Sequence, residues 1–574
     1  MRPGARLAAR VSSPIPRRFA AIALAICVAC TQTPSTQDAP ADLVLVNGKI
    51  VTVDPAFSIK QAVAIRGGSI VAVGTDAEAR RLAGPSTKVI DLGGRTVLPG
   101  LIDSHTHAIR AGITYDFELH WDRLPSLKAG LDQIAEKARS GTPGAWIRVL
   151  GGWHETQLTE RRLPTQAELD QAAPNNPVWV QRLSTQAVLS SAAVKALGIT
   201  ADTPNPPGGT ILKDASGKPT GIGSVGGLNF YYPSVPRPSL EEQIESTKHW
   251  FTELNRSGLT GVIDAGGGLQ RWPDDYAALN AVHDRGQQTL RVRWFMQPQR
   301  SGKELEDVRA FVSIMKPGSG DDLLRPLGIG EAPLVATNDG TQWGAESPTF
   351  PAQAIDNLAQ VLRADVDGGW SFSIHTARNK SLEQILPTVE AINAQTPLKD
   401  RHISFAHIED VTPASIARLK TLGAGVLIQD RLVFSGDDIL KSWSPEMVRR
   451  APPIQSLLKA GVIVGGGTDA TQVAPYPPFR SLWWFVTGKT IDGRQVRASE
   501  ELVSREQALR IYSTGSAWFS GDEGRLGSVE VGKQADVIVT SADYLTVPED
   551  QIPAIESLLT IVGGKTVYAA NPFR

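Results

Sequence analysis

Eight short apolar runs punctuate the middle of this chain: 101–107, 260–264, 291–296, 327–331, 371–375, 403–407, 424–429 and 462–466. Most of the later ones recur at about thirty-residue intervals, the length of one strand–helix–strand unit. Three intervening stretches carry helical patterns: SLEEQIESTKHWFTELNRSG before the second run, TPASIARLKTLG before the seventh and PPIQSLLKAG before the eighth. Each stops at glycine, which takes the left-handed conformation that closes a helix at little cost. Eight such alternations predict an α/β fold of the (β/α)8 TIM-type barrel class. One interval is far too long. Residues 108–240 stand between the first and second strands and predict an inserted subdomain over the pocket mouth.

At 574 residues the chain exceeds what one ordinary core accommodates. Its ends are strand-like, β-branched and broken by Asn-Gly and Gly-Gly turns, at 43–53, 61–74 and 88–100 and again at 527–540 and 557–570. The expectation is one small β-sandwich domain assembled from both termini, 42–98 and 520–574, with the barrel occupying 99–519.

Residues 1–30 read as a secretory signal. Arg2, Arg6, Arg10, Arg17 and Arg18 precede the apolar run FAAIALAICVA, which is too short to span a bilayer. Ala29-Cys30 resembles a bacterial lipoprotein processing site, so Cys30 is the expected point of a lipid anchor and 31–41 a polar linker. The expected location is outside the cytoplasm of a bacterium, periplasmic or membrane-anchored. Cys27 and Cys30 are the only cysteines, so the mature chain has no thiolate, and any metal must be held by nitrogen and oxygen. A net charge of −1 gives no reason to expect nucleic acid as a partner. A small molecule is the expected substrate.

The chemistry gathers at the run ends. Barrel enzymes build their sites where the strands finish. Here the first run ends in His105-Thr106-His107, the fourth in Glu331, the fifth in His375 and the sixth in His407, while Asp469 follows the eighth. The two histidines of an H-x-H on a strand share a face, so one divalent ion can be gripped by both. Any one of these residues could be a packing histidine or a capping carboxylate. Six converging on one barrel face predict a metal centre. His120, His154, His249, His283 and His402 lack such support, although His154 in GGWHETQ is a candidate substrate contact. Trp121, Trp153, Trp343 and Trp443 lie in loops and are candidate walls of an apolar pocket, with Trp153 and Trp343 the expected substrate contacts.

These residues sit in phrases that resemble the amidohydrolase superfamily, in the YtcJ-like branch that includes N-substituted formamide deformylases. The phrases are VLPGLIDSHTH, PPGGTILKDASGKPTG, GLTGVIDAGG, IHT at 374–376, RHISFAH, GGGTDA, WWFVTGKTIDG and GSVEVGKQADVIV, and the resemblance runs from Asp42 to Val567. It implies a metal-dependent hydrolase holding one or two divalent ions, zinc being the leading expectation. Two departures stand out. Many relatives use a carbamylated lysine on strand four, where GIGEA here places Glu331, a carboxylate with the charge and reach to replace it. Many also carry a histidine in the insertion, where this chain has Thr185 and Gln186. One metal on His105, His107, His375 and Asp469 is the alternative to two.

The implied reaction is hydrolysis of the C–N bond of an amide, N-acyl or cyclic amide substrate by metal-activated hydroxide, with Asp469 as general base and then acid. An ester, lactone or phosphoester hydrolase would use the same centre. An exported binding protein without catalysis is the third reading, against which the full set of six ligands argues.

Overall fold

The computed structural model describes residues 39–340 and 347–574. The signal sequence with Cys27 and Cys30, and the candidate pocket residue Trp343, lie outside them. Eight parallel strands follow one another in chain order through one sheet: β1 Leu101–Thr106, β2 Leu259–Asp264, β3 Arg291–Met296, β4 Leu324–Ile329, β5 Ser371–Thr376, β6 Ser404–His407, β7 Gly425–Gln429 and β8 Val464–Gly467. The chain ends of β8 and β1 meet: the Asp469 amide donates to the His105 carbonyl at 2.8 Å, and the His107 amide to the Ala470 carbonyl at 3.0 Å. Gly467 permits this approach, since a Cβ there would lie 2.7 Å from the His105 nitrogen. The barrel expectation holds.

Several boundaries differ from the sequence reading. β4 starts at Leu324 and stops at Ile329, so Glu331 stands beyond the strand. Pro326, which lacks an N–H, lies within the strand and pairs with Trp294. β1 stops at Thr106, and His107 opens helix α1, Ala108–Thr114.

The helical patterns form as their caps dictate. Helix α2 spans Leu240–Arg256, with Ser239 and Glu242 closing a reciprocal capping box at its start. Helix α3, Pro413–Leu422, begins at the Thr412 cap and ends at Gly423 in the left-handed region. The inward faces of these helices, such as Ile244, Trp250, Phe251 and Leu254 of α2, join the main core around the barrel. Ile263, Phe295, Ala406, Leu427 and Phe519 pack into a separate buried cluster.

Strands from both ends of the chain share one six-stranded sheet, in which Thr96–Pro99 pairs with Val537–Thr540. A four-stranded sheet built from Ala41–Val46 and its neighbours lies nearby, and one buried cluster takes Leu43 and Ile65 from it and Val537 and Ile561 from the other. The long insertion contains a six-stranded sheet of its own, running from Glu118–Leu119 to Pro219–Gly223. Its GGWHE loop presses against the segment after Asp469. The Gly152 amide donates to the Gln472 carbonyl at 3.1 Å. A Cβ at Gly151 would fall 2.0 Å from that same carbonyl oxygen. The insertion therefore closes over the end of the barrel where the ligand candidates gather. No helix among the described residues is long and apolar enough to cross a membrane.

Candidate metal centre

The strand ends bring all six ligand candidates together. Glu331 is the hub: its Oε2 lies 3.2 Å from His105 Nε2, 3.3 Å from His375 Nδ1 and 3.3 Å from His407 Nε2. Asp469 closes the other side, with Oδ1 at 2.9 Å from His107 Nε2 and 3.8 Å from His105 Nε2. Two groups of donors are close enough to hold an ion, His105 with Glu331 and His407, and His105 with His107 and Asp469.

The hydrogen bonding around these donors is incomplete in a telling way. His107 Nδ1 faces the Gly266 carbonyl at 2.5 Å, which fixes that nitrogen as a donor and turns Nε2 inward. His375 Nε2 meets the Gly340 carbonyl at 3.2 Å, leaving Nδ1 for the centre. Apart from the close contact of His105 Nε2 with Glu331, the ring nitrogens of the fully buried His105 have no hydrogen-bond partner among the described residues, and His407 Nδ1 has none there either. Orphaned buried polar atoms are costly unless something completes them. A donor set of imidazoles and carboxylates with inward-facing lone pairs is completed by a divalent cation, and nitrogen and oxygen donors suit zinc. The residues fit the metal.

Backbone and electrostatics agree with that. His407 and Asp469 adopt left-handed φ values of 82° and 62°, costly for residues with a Cβ and characteristic of sites where geometry outweighs comfort. Burial pushes the Glu331 carboxyl up, but His105, His375 and His407 more than offset it and hold it well below the usual range. Burial likewise raises Asp469, and its hydrogen bond to His107 with the neighbouring imidazoles brings it down to about 2. Both carboxylates are thus anionic, the form a cation requires. Burial and the nearby Arg431 press His407 well below the ordinary imidazole range, which favours its neutral, metal-binding form. Burial lowers His375 too, but the Glu331 charge prevails and lifts it to about 9.

The amidohydrolase family model matches residues 88–568 of this sequence. The chain belongs to the amidohydrolase family. N-substituted formamide deformylase of Arthrobacter pascens is 29% identical over 92% of this chain and 98% of its own. The putative amidohydrolase YtcJ of Bacillus subtilis is 26% identical over 88% of this chain and 96% of its own, in keeping with the YtcJ-like branch. Among solved structures, an uncharacterised metal-dependent hydrolase from Pyrococcus horikoshii superposes with a TM-score of 0.66 at 20% identity, covering 88% of this chain and 99% of that one. The chain is accordingly an enzyme of the amidohydrolase family.

Three supports of the amidohydrolase centre escaped the sequence reading. Arg431, two residues past β7, binds Glu409 through Nε at 3.0 Å and brings its NH1 to 3.6 Å from Asp469 Oδ2. Asp339 accepts the amides of Ala377 and Arg378, at 3.0 Å to Oδ2 in each case, and stands 3.5 Å from His375 Nε2. Asp103 bonds the Thr468 hydroxyl at 2.6 Å and the His105 amide at 3.0 Å, tying β1 to β8 just below the ligands. Asp103 stands inside the quoted VLPGLIDSHTH and Glu409 two residues past RHISFAH, so an acidic residue two positions from a ligand was the available signal.

The proposed pocket residues of the insertion are placed elsewhere. Trp153 is fully buried, donates its indole N–H to the Gln181 carbonyl at 2.7 Å and packs on Trp121 with ring centres 4.8 Å apart. It is core, because a large aromatic beside a glycine pair fills the gap under the insertion sheet. His154 is buried as well, its Nδ1 bonded to the Thr156 hydroxyl at 2.8 Å and its Nε2 against Arg182. It caps the turn Glu155–Gln157.

Proposed function

We propose that this enzyme hydrolyses the C–N bond of a small amide at a divalent centre, with zinc as the ion, held by His105, His107, Glu331, His375, His407 and Asp469. The observation that carries it is the convergence of three imidazole nitrogens within 3.3 Å of one Glu331 oxygen, beside His105 nitrogens that have no other partner. Such an ion supplies Lewis acidity toward a carbonyl and acidifies water toward neutrality. Glu331 belongs to the first donor group and reaches toward the second, its Oε1 3.7 Å from His107 Nε2, and it takes the place that the superfamily's lysine would hold.

The chain's own residues do the rest. Asp469, anionic and oriented by His107 and Arg431, accepts the proton of the attacking water and returns it to the departing nitrogen as the C–N bond breaks. The His107 and His375 hydrogen bonds to backbone carbonyls lock both rings against rotation. The insertion, pressed onto the loop after Asp469, limits water at the reacting carbon.

The likeness to a formamide deformylase along nearly the whole chain supports an amide over an ester. Zinc-supplemented enzyme given N-substituted formamides and acetamides beside matched esters tests this. Amine release that Asp469→Asn abolishes is the expected result; cleavage of the esters alone would replace the C–N reading with an esterase. Export and acylation of Cys30 belong to the same proposal on sequence grounds, and the mass of the N-terminal peptide from membrane fractions tests them.

A further inference from the structure

A cavity of about 190 Å³ opens between the insertion and the barrel mouth, and four arginines stand in its wall against one carboxylate, Glu118. Arg110 lies on α1 three residues beyond His107, Arg148 on the insertion strand Ile147–Val149, and Arg237 and Arg271 at the rim. Thr471 and Gln472, immediately after Asp469, complete the side nearest the metal ligands. Ile113, Leu150 and Val235 supply an apolar surface between the charges.

The charges are not cancelled within the wall. Arg237 pairs with Asp275 at 2.6 Å. Arg110 spends one N–H on the Gly268 carbonyl at 2.9 Å. Arg148 is the decisive residue: only 6% exposed, it has an Nε with no hydrogen-bond partner among the described residues, and its guanidinium stands beside the buried hydroxyl of Tyr232 on the same wall. Glu118 is opposite Arg148 in the strand register, yet its carboxylate accepts from the Thr114 hydroxyl. Burial also drives the Glu118 carboxyl upward, which weakens it as a counter-ion. A buried guanidinium with an unused Nε–H, set beside a phenol hydroxyl, suits a planar anion.

We propose that this cavity receives a carboxylate, so that the amide cleaved at the metal centre belongs to a molecule carrying a negative charge across a short apolar spacer. The substrate class is an anionic amide, with Arg148 and Tyr232 gripping the carboxylate and Arg110 lying between it and the metal ligands. This rests on the amide-hydrolase reading above and names the substrate class within it.

Calorimetric titration of chelator-dialysed protein reads the cavity without turnover. The probes are para-(formamidomethyl)benzoate and its neutral twin, para-(formamidomethyl)benzamide. The acid should bind at least about tenfold more tightly, Arg148→Gln should reduce the preference to within about twofold, and Arg148→Lys should restore part of it. Equal affinity for the two probes, or no binding of the acid, overturns the proposal. The wild-type comparison needs no variant, so a misfolded Arg148→Gln protein leaves the test intact. Hydrolysis by zinc-loaded enzyme separates the two readings. Acid-selective binding with neither probe cleaved sinks the amide-hydrolase reading and leaves the carboxylate site standing. Equal cleavage of both keeps the hydrolase and overturns the carboxylate site.

Discussion

The two ends of this barrel both bury charge, and they do it in opposite ways. At the N-terminal ends of β3 and β4, Arg291 meets Asp536 at 2.7 Å, and Arg293 and Arg325 meet Asp522 at 2.9 and 2.8 Å. Every carboxylate there has a guanidinium. At the opposite end, four histidines and two carboxylates point at one another, and the buried nitrogens of His105 complete no well-aligned hydrogen bond among the described residues. Paired charge holds the strand-rich termini to the barrel. Convergent, unfinished charge is prepared for a ligand and holds nothing until that ligand arrives.

Mutations should separate the ends cleanly. Asp469→Asn removes the proton acceptor, and turnover should drop by about a thousandfold or more, while the melting temperature of metal-free protein barely moves. Arg293→Met should do the reverse: taking one of two guanidiniums from the buried Asp522 should lower stability in urea unfolding, by less than the about 3–5 kcal/mol of a wholly unpaired buried charge, with the folded fraction turning over normally. If Arg293→Met cripples turnover without loss of stability, the division between the ends fails. Arg431→Met leaves the ligands in place but frees Asp469 from its orienting cation, and kcat should fall by about 10–100-fold with bound metal retained.

A smaller effect tests the paired end by pH. Burial pushes the Asp522 carboxyl up, and Arg293 and Arg325 more than offset it, leaving it below its ordinary range. A depressed folded-state pKa contributes stability that is complete above the unfolded value of about 3.9 and is lost as pH falls through the folded one. Acid unfolding curves of Asp522→Asn should therefore be flatter below about pH 4 than those of wild type. An identical acid limb would show that the pair is not what acid breaks.

What the sequence discloses follows the same division. Strand ends with their histidines are readable because alternation, length and a terminal ligand are local properties. His105, His107, Glu331, His375, His407 and Asp469 all stand on or just past such ends. Arg431 and Asp339 act on ligands far away in sequence, and nothing in their own neighbourhoods marks the partner. The insertion sheet is hidden for a different reason: Glu118–Leu119 and Ile147–Val149 are too short to carry a period-2 pattern. Trp153 shows the converse error, an aromatic in a loop-like context that the sheet beneath it buries completely. The arginine cavity joins residues 110, 148, 237 and 271, which only the closed insertion brings together.

Elemental analysis of the purified protein tests the central claim most directly. Wild type and Arg293→Met should each carry about one or two equivalents of a divalent metal per chain, and His105→Ala should carry markedly less, with turnover returning to chelated wild type on addition of zinc. Full amide hydrolysis by metal-free protein, or undiminished metal in His105→Ala, would contradict the account.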